Sequence, residues 1–178
     1  MMHSGLDKTQ IGRAGELALS LYALITSDGG LEVFSPLTDD DHVDLVAGLR
    51  GGLPAIGLQV KTSDAVDAHG LVEARASFPD GQARDDPAFL YAIVLLHAVQ
   101  IHALWIVPSP DFNRLAYRVR DRGRDVLEFR SSPTNPDAFA RFRIDPMQIG
   151  PTLAGRIGAA GSAPGWLLAL AGRGISGG

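Results

Sequence analysis

The sequence predicts an α/β fold in which helices flank a mixed central sheet. Three observations support this prediction. Apolar residues recur at helical spacing from Ile11 to Thr26, whereas residues 89–96 and 102–107 form two nearly continuous apolar runs. Runs of this kind are typical of strands that are covered on both faces. Ahead of them, residues 42–63 have the pattern of two short strands joined by a turn.

The first predicted element is the helix over Ile11–Thr26, with Thr9 as its N-cap and Gly29-Gly30 at its end. Glu16 lies on the flank of the helix, about 100° around the axis from Leu17. The apolar residues that we expect to pack on the sheet are Ala14, Leu17, Ala18, Leu21 and Ile25.

The remaining elements are predicted from alternation and from turn residues. The two strands within residues 42–63 are joined by the segment LRGGLP, which is rich in turn-forming residues. Residues 71–78 alternate well enough for a further strand, and residues 113–118 suggest a short helix. Beyond them, strands are expected on both sides of an Asp121-Arg122-Gly123 turn.

The hairpin within residues 42–63 carries polar side chains among its apolar ones. Alternation places Gln59 and Lys61 on the face opposite to Ile56, Leu58 and Val60. In the partner strand, Val43, Leu45 and Ala47 are the expected apolar set, and Asp44 points the other way. If the apolar faces are buried together, Asp44, Gln59 and Lys61 meet at one end of the sheet. Carboxylate and amide oxygens are ligands that suit Mg²⁺.

An acidic residue in one strand, followed by a turn and an acid-or-Gln-x-Lys pattern in the next, resembles the PD-(D/E)XK nuclease superfamily. The resemblance implies a restriction-endonuclease-like fold and Mg²⁺- or Mn²⁺-dependent hydrolysis of DNA. Carried over by position, the site residues are Glu16, Asp44, Gln59 and Lys61. The sequence departs from the family pattern at Val43, where the pattern has a Pro that many members also lack, and at Gln59, where Asp or Glu is commoner.

Each of these groups has an expected role. Asp44 would bind the metal directly, with the amide oxygen of Gln59 and the backbone carbonyl of Val60 as further ligands. Lys61 would orient the attacking water or stabilise the transition state, and Glu16 would hold a water or fix Lys61. Three alternatives stay open: an ordinary ion pair between Asp44 and Lys61, a catalytically inactive domain of this fold that binds nucleic acid or a protein, and an unrelated α/β binding module.

Charge is distributed unevenly along the chain. Residues 1–112 carry a net charge of −9 and residues 113–178 a net charge of +5, and fourteen of the sixteen basic residues are Arg. Arg binds phosphate well through its planar fork of donors. The basic half therefore suggests contacts with the DNA backbone, with RNA also open, and a solvated surface is the alternative. The candidate residues for these contacts are Arg118, Arg120, Arg122, Arg124 and Arg130.

The composition indicates the cellular compartment and the domain organisation of the protein. The chain has no cysteine, so it can form neither disulfides nor thiolate metal sites, and a cytoplasmic protein without membrane contact is the simplest interpretation. We expect one domain over residues 1–149. The Gly- and Ala-rich segment 150–178 is expected to follow it, with Trp166–Ala171 as a short docked helix or a homodimer contact and the last residues frayed.

Overall fold

The computed structural model describes residues 5–36, 42–52, 54–79 and 83–160, so the predicted helix at Trp166–Ala171 lies outside the described residues. Within these residues, two one-turn 3-10 helices, Ala140–Phe142 and Pro146–Gln148, accompany three α-helices and nine strands. These are α1 (Lys8–Thr26), β1 (Leu31–Phe34), β2 (Leu45–Leu49), β3 (Ala55–Ser63), β4 (Val72–Pro79), β5 (Phe89–His97), β6 (Gln100–Pro108), α2 (Ser109–Leu115), β7 (Tyr117–Asp121), β8 (Arg124–Ser131), β9 (Arg143–Ile144) and α3 (Ile149–Ala160).

The predicted α/β fold class is confirmed, and it is organised around two sheets. Six strands form a mixed sheet in the order β1-β2-β3-β5-β6-β9, and three form a smaller sheet in the order β4-β8-β7. Within the larger sheet β3 and β5 run parallel, and the other neighbours run antiparallel. The parallel pair is possible because β4 leaves the larger sheet for the smaller one, which gives the chain a crossover between β3 and β5.

The two faces of the six-stranded sheet are covered differently. On the face that we call the aliphatic side, α1 and α3 pack on the sheet, and the buried residues are Leu, Ile, Val and Ala. On the opposite face, the aromatic side, α2 and the smaller sheet cover a core rich in Phe, with one Tyr and one Trp. The aromatic rings of that core are Phe78, Phe89, Tyr91, Trp105, Phe112, Phe129, Phe139 and Phe142.

Helix α1 begins two residues earlier than its predicted N-cap requires. Asp7, not Thr9, is the N-cap, because its carboxylate accepts a hydrogen bond from the Gln10 N–H at 2.8 Å. The Gln10 side chain in turn accepts from the Asp7 N–H at 2.9 Å, which completes a capping box. At the other end Gly29 has a φ of +71°, and its N–H donates to the Leu24 carbonyl. The residue directly after the C-cap Ser27 is Asp28, which is also left-handed with a φ of +51°, so the predicted left-handed ending is present but begins one residue before the glycine pair.

The predicted short helix after Pro110 is shifted along the chain. Helix α2 covers Ser109–Leu115, and Arg118 lies instead in strand β7. A proline is tolerated in the first turn of a helix, because the N–H that it lacks has no helical partner there. The helix therefore begins at Ser109 and includes Pro110 in its first turn, rather than starting after the proline.

Helix α3 has no counterpart among the elements predicted above. Its sequence contains Gly150, Gly155 and Gly158, which lower helix propensity, yet Ile149, Leu153 and Ile157 are buried on the aliphatic side. Tertiary packing of this apolar stripe stabilises the helix. Among the residues described, no helix has the length and apolarity needed to cross a membrane.

Candidate functional site

Strand β3 forms the base of the candidate site. Ile56, Leu58 and Val60 belong to the aliphatic side. Gln59 pairs in register with Tyr91 of β5, and Lys61 pairs with Ile93. Because Tyr91 and Ile93 belong to the aromatic side, strand alternation turns Gln59 and Lys61 to that side as well. The predicted division of β3 into an apolar and a polar set of side chains is therefore present.

Asp44 lies at the point where β2 and β3 separate. Leu45 is the register partner of Leu58, and the Asp44 N–H also donates to the Leu58 carbonyl, at 2.9 Å. Two residues of one strand thus oppose a single residue of the other, as in a β-bulge. The Asp44 carboxylate accepts a hydrogen bond from the Val60 N–H at 2.6 Å. The carboxylate is thereby held against the β3 backbone between Gln59 and Lys61.

The same irregularity changes the position of Val43. The sequence groups Val43 with Leu45 and Ala47, but the structure buries Val43 on the aromatic side, whereas Leu45 and Ala47 are on the aliphatic side. An extra residue in a strand reverses the alternation beyond it. The predicted apolar set is therefore wrong at Val43 and correct at the other two positions.

Gln59 is a buried polar residue with an unused acceptor. Its side chain is 4% exposed, and among the described residues its Oε1 has no hydrogen-bond partner. A buried amide oxygen without a partner is energetically costly, and proteins usually supply one. The oxygen is therefore available to a cation or a water molecule that enters the site.

Tyr91, beside Gln59 in the neighbouring strand, has a hydroxyl that is buried and likewise has no partner within the described part of the chain. Burial raises the pKa of Tyr91 well above its usual value of 10.0, although the charge of Arg84 acts in the opposite direction. The Tyr91 ring stacks on Phe112, with 3.9 Å between the ring centroids. Tyr91 is therefore a neutral, tightly packed neighbour of the site under ordinary conditions.

Lys61 and the Val60 carbonyl complete the groups along β3. Lys61 is half-buried and lies one residue past the N–H that binds Asp44. In a strand, the N–H and carbonyl of one residue point to the same edge, so the Val60 carbonyl faces the edge occupied by Asp44. Beyond the Leu45–Leu58 pair that edge of β3 is no longer matched by β2.

Glu16 lies on α1, on the other side of the sheet from Gln59 and Lys61. Its carboxylate forms an ion pair with Arg13 of the same helix, at 2.6 Å. The helix approaches β3 closely at Gly15, where an added Cβ would lie only 1.8 Å from the Thr62 Oγ1. Glu16 is thus held near the end of β3, next to the residue that follows Lys61. Its role in the site stays a prediction.

The donors at this position fit a hard cation. They are one carboxylate, one buried amide oxygen and one backbone carbonyl, which are all oxygen ligands of the type that Mg²⁺ and Mn²⁺ accept. No three His, Cys, Asp or Glu side chains come together at a metal-binding distance in the described ranges. A cation here would therefore be held by Asp44, Gln59 and Val60, with water or substrate oxygens completing its coordination.

The candidate arginines for DNA contact lie on the smaller sheet, and acidic side chains accompany several of them. Arg118 pairs with Asp125 at 3.1 Å, and Arg130 pairs with Glu73 at 2.8 Å. Arg124 donates to the Ser77 hydroxyl at 2.9 Å, and Arg120 also has an interaction partner. Arg122, with a φ of +49°, is exposed in the turn between β7 and β8. All five are exposed or close to the surface, and their contact with DNA stays a prediction.

Two features of the site were missed in the sequence. Tyr91 lies inside a continuous apolar run, which gives no sign that its ring adjoins Gln59. The close approach of Gly15 to Thr62 depends on the packing of α1 against β3. The small residues Gly12, Ala14 and Gly15 in one helix turn are the only available signal, because close helix–sheet contacts favour small side chains.

Comparison with known proteins supports the fold. No family model matches the chain, and no curated protein matches it in sequence. A solved structure, that of the bacterial homing endonuclease I-Ssp6803I, matches with a TM-score of 0.55 and 18% sequence identity. The match covers 89% of this chain and 99% of the endonuclease. The chain thus has a nuclease-like α/β fold, a likeness that extends over almost the whole of both proteins.

Proposed function

We propose that this protein is a metal-dependent endonuclease that hydrolyses phosphodiester bonds in DNA, with its active site at the end of β3. One observation carries the proposal. The hydrogen bond from the Val60 N–H to Asp44 holds a carboxylate beside Gln59, whose buried Oε1 has no partner among the described residues. The similarity in fold to a homing endonuclease supports the same conclusion.

Asp44, Gln59 and the carbonyl of Val60 would hold Mg²⁺ or Mn²⁺. When bound there, the ion would lower the pKa of a coordinated water and neutralise charge that develops on the phosphate. The bond to Val60 fixes the orientation of the Asp44 carboxylate before substrate arrives. A ligand that is already oriented loses little side-chain freedom on binding. Gln59 contributes no charge, so Asp44 supplies the single negative charge of the ligand set.

Lys61 would act on the substrate from its position next to the metal ligands. Its ammonium group has three donors on a flexible stem. From the end of β3 it would orient the attacking water and stabilise negative charge on the scissile phosphate, which is greatest in the transition state. Glu16, across the end of β3, would fix the ammonium group in that position or hold a water molecule near it.

The arginines of the smaller sheet would bind the DNA backbone. Exposed ion pairs such as Arg118–Asp125 and Arg130–Glu73 are worth only about 0–1 kcal/mol, so phosphate can replace the acidic partner at little cost. Such contacts position the substrate without reading its bases. Binding through them should weaken as salt concentration rises, because counterions that are released from the DNA into a more concentrated salt solution gain less entropy.

Cleavage of plasmid DNA in Mg²⁺ or Mn²⁺ tests the proposal, with Asp44→Asn as the decisive variant. Asparagine keeps an oxygen that can accept from the Val60 N–H but removes the charge that binds metal. We expect cleavage to fall by at least about 10³-fold, corresponding to a loss of about 4 kcal/mol of transition-state stabilisation. Asp111→Asn is the matched control, because the ion pairs that Asp111 forms within the described part of the chain, with Arg114 and Arg141, lie at the surface of α2.

A second function is favoured by one observation, the presence of Gln59 where a carboxylate would bind metal more strongly. In that case the protein keeps the fold and binds nucleic acid or a protein partner without cleaving. Binding of DNA or RNA by a folded protein that cleaves neither, at any Mg²⁺ or Mn²⁺ concentration, would support this function. The same result would contradict the proposed nuclease.

A further inference from the structure

Helix α1 exposes an apolar stripe on the face that points away from the sheet. Leu17, Leu21, Leu24 and Ile25 recur at helical spacing and are 57%, 54%, 41% and 62% exposed. The opposite face of α1 already packs on the aliphatic side through Leu19 and Ala23. A surface helix usually carries polar residues on its outer face, so this helix has two apolar faces and needs a second covering.

The chain itself contains an apolar segment that follows the helix next to α1. Helix α3 packs against α1, and the Gly150 N–H donates to the Thr26 Oγ1 at 2.8 Å. Residues 161–178 come after α3 in the sequence, and within them Trp166–Ala171 reads WLLALA. Large apolar side chains of this kind are usually buried in folded proteins. The segment Trp166–Ala171 and the stripe on α1 therefore both need an apolar surface that buries them.

The linker between α3 and Trp166 is long enough for the segment Trp166–Ala171 to reach α1. Five residues, 161–165, separate α3 from Trp166, and an extended chain of that length reaches about 17 Å. Helix α1 has 19 residues and is about 28 Å long, and α3 lies beside it. The linker, GSAPG, consists of small residues and a proline that favour turns.

We infer that the segment Trp166–Ala171 docks on the stripe formed by Leu17, Leu21, Leu24 and Ile25. A covalently attached segment is present at an effective concentration in the millimolar range, far above that of a second molecule in solution. The stripe is flanked by few charges, since Arg13 and Glu16 pair with each other at one end of the helix. Docking would bury apolar surface on both partners and extend the aliphatic side by one layer. This inference is independent of the proposed function.

Cysteine cross-linking tests the docking directly, because the natural chain has no cysteine. Leu21→Cys is combined in turn with Leu167→Cys, Leu168→Cys or Leu170→Cys in the full-length protein. We expect at least one pair to form a disulfide within one chain under mild oxidation, since such bonds need a close approach of the two residues. Tyr117→Cys with the same second cysteine is the control, because Tyr117 is exposed on the smaller sheet, beyond the aromatic side.

The cross-linking results distinguish docking of the segment from its absence. Intrachain disulfides above the level of the Tyr117→Cys control support docking. Disulfides at the control level in all three pairs would contradict it. A covalent dimer formed by Leu21→Cys alone would also contradict it, because the stripe would then face a second copy of the chain.

A double-mutant comparison tests the same contact without cross-linking. One variant carries Leu17→Ser and Leu21→Ser, another carries Leu167→Ser and Leu168→Ser, and a third carries all four substitutions. If the two surfaces bury each other, each pair lowers the denaturation midpoint and the fourfold variant unfolds no earlier than the less stable pair. Midpoint shifts that simply add, or that are absent in both pairs, would show that the surfaces do not meet.

Discussion

The two faces of the six-stranded sheet are both well packed, but they differ in chemistry. The aliphatic side buries Leu, Ile, Val and Ala beneath α1 and α3. The aromatic side buries interlocking rings, such as Phe129 against Phe139 with centroids 4.5 Å apart. The aromatic side also receives Gln59, Tyr91 and Trp105, each with a buried polar atom that has no partner in the described part of the chain. On the aliphatic side, the Thr62 Oγ1 at the end of β3 is in the same state.

This difference indicates how the fold divides its tasks. The core side chains of the aliphatic side are all aliphatic, and its unsatisfied Thr62 hydroxyl lies at the end of β3. The aromatic side carries unsatisfied polar atoms within its core, which cost stability and are retained where a protein needs them for function. The candidate site thus lies at the edge of the less ideal core, where β2 separates from β3 at Asp44.

The largest expected effect tests whether both faces are needed for stability. Phe129→Ala on the aromatic side should lower the free energy of unfolding by about 3–5 kcal/mol, and Leu153→Ala on the aliphatic side by about 2–5 kcal/mol, because both side chains are completely buried. Urea unfolding measures the free energy of unfolding of both variants. A cost below about 1 kcal/mol for Leu153→Ala would show that α3 is an appended segment and that the aliphatic side is complete without it.

A smaller effect is expected where α1 contacts β3. Gly15→Ala would place a Cβ 1.8 Å from the Thr62 Oγ1, and the helix would have to move. We expect a loss of about 1–3 kcal/mol in thermal unfolding. Gly12→Ala is the matched control in the same helix turn, because nothing lies within 4 Å of its added Cβ. It should stabilise the protein by about 0.5–1 kcal/mol through higher helix propensity. Equal effects of the two substitutions would contradict the close contact.

Gln59→Met separates the effect of the Gln59 amide on stability from its effect on metal binding. Methionine is close in shape to glutamine and removes the buried Oε1 that lacks a partner. In metal-free buffer we expect a gain of about 1 kcal/mol in stability, because the unsatisfied oxygen is gone. Mg²⁺ should then raise the melting temperature of the wild type but not that of the variant. A destabilised variant would instead mean that the amide is satisfied within the protein.

The smallest effect concerns the Tyr91 hydroxyl. Because burial raises the pKa of Tyr91, the folded state keeps its proton at a pH where the unfolded chain loses it. Fewer protons on the unfolded state mean that stability falls as the pH rises above 10.0. Tyr91→Phe should remove this part of the alkaline destabilisation and change stability at pH 7 by less than about 1 kcal/mol. A larger loss at pH 7 would indicate that the hydroxyl is hydrogen-bonded.

The elements that could be predicted are those with a local signal. The extent of α1, the apolar runs of β5 and β6, and the LRGGLP connection between β2 and β3 could be predicted from the sequence. The face of α1 that packs on the sheet was predicted wrongly at Leu17, Leu21 and Ile25, which are exposed, whereas Leu19 and Ala23 are buried there instead. Helix α3 could not be predicted, because its glycines lower helix propensity and its stability depends on packing with distant strands. The pairing of β4 with β8 could not be predicted either. Strand β8 follows β4 some 50 residues later, and pairing at that distance leaves no local pattern in the sequence.

The candidate site was predictable in its residue types but not in its geometry. The order of Asp44, Gln59 and Lys61 shows that three polar groups could meet, and alternation correctly predicts the side of the sheet for Gln59 and Lys61. The bulge at Asp44 and its bond to Val60 depend on how the β2–β3 pairing ends. The acidic partners of Arg118 and Arg130 likewise come from neighbouring strands of the smaller sheet.

The most direct test of the central claim is a titration of the protein with Mn²⁺, followed by calorimetry or by the loss of free-ion EPR signal. We expect one ion to bind to each wild-type chain, and we expect binding at least tenfold weaker in both Asp44→Asn and Gln59→Met. Asp111→Asn, which alters the ion pairs of Asp111 with Arg114 and Arg141 on the surface of α2, should bind as the wild type does. Equal Mn²⁺ affinity in all four proteins, or no binding to any of them, would contradict a metal site formed by Asp44 and Gln59.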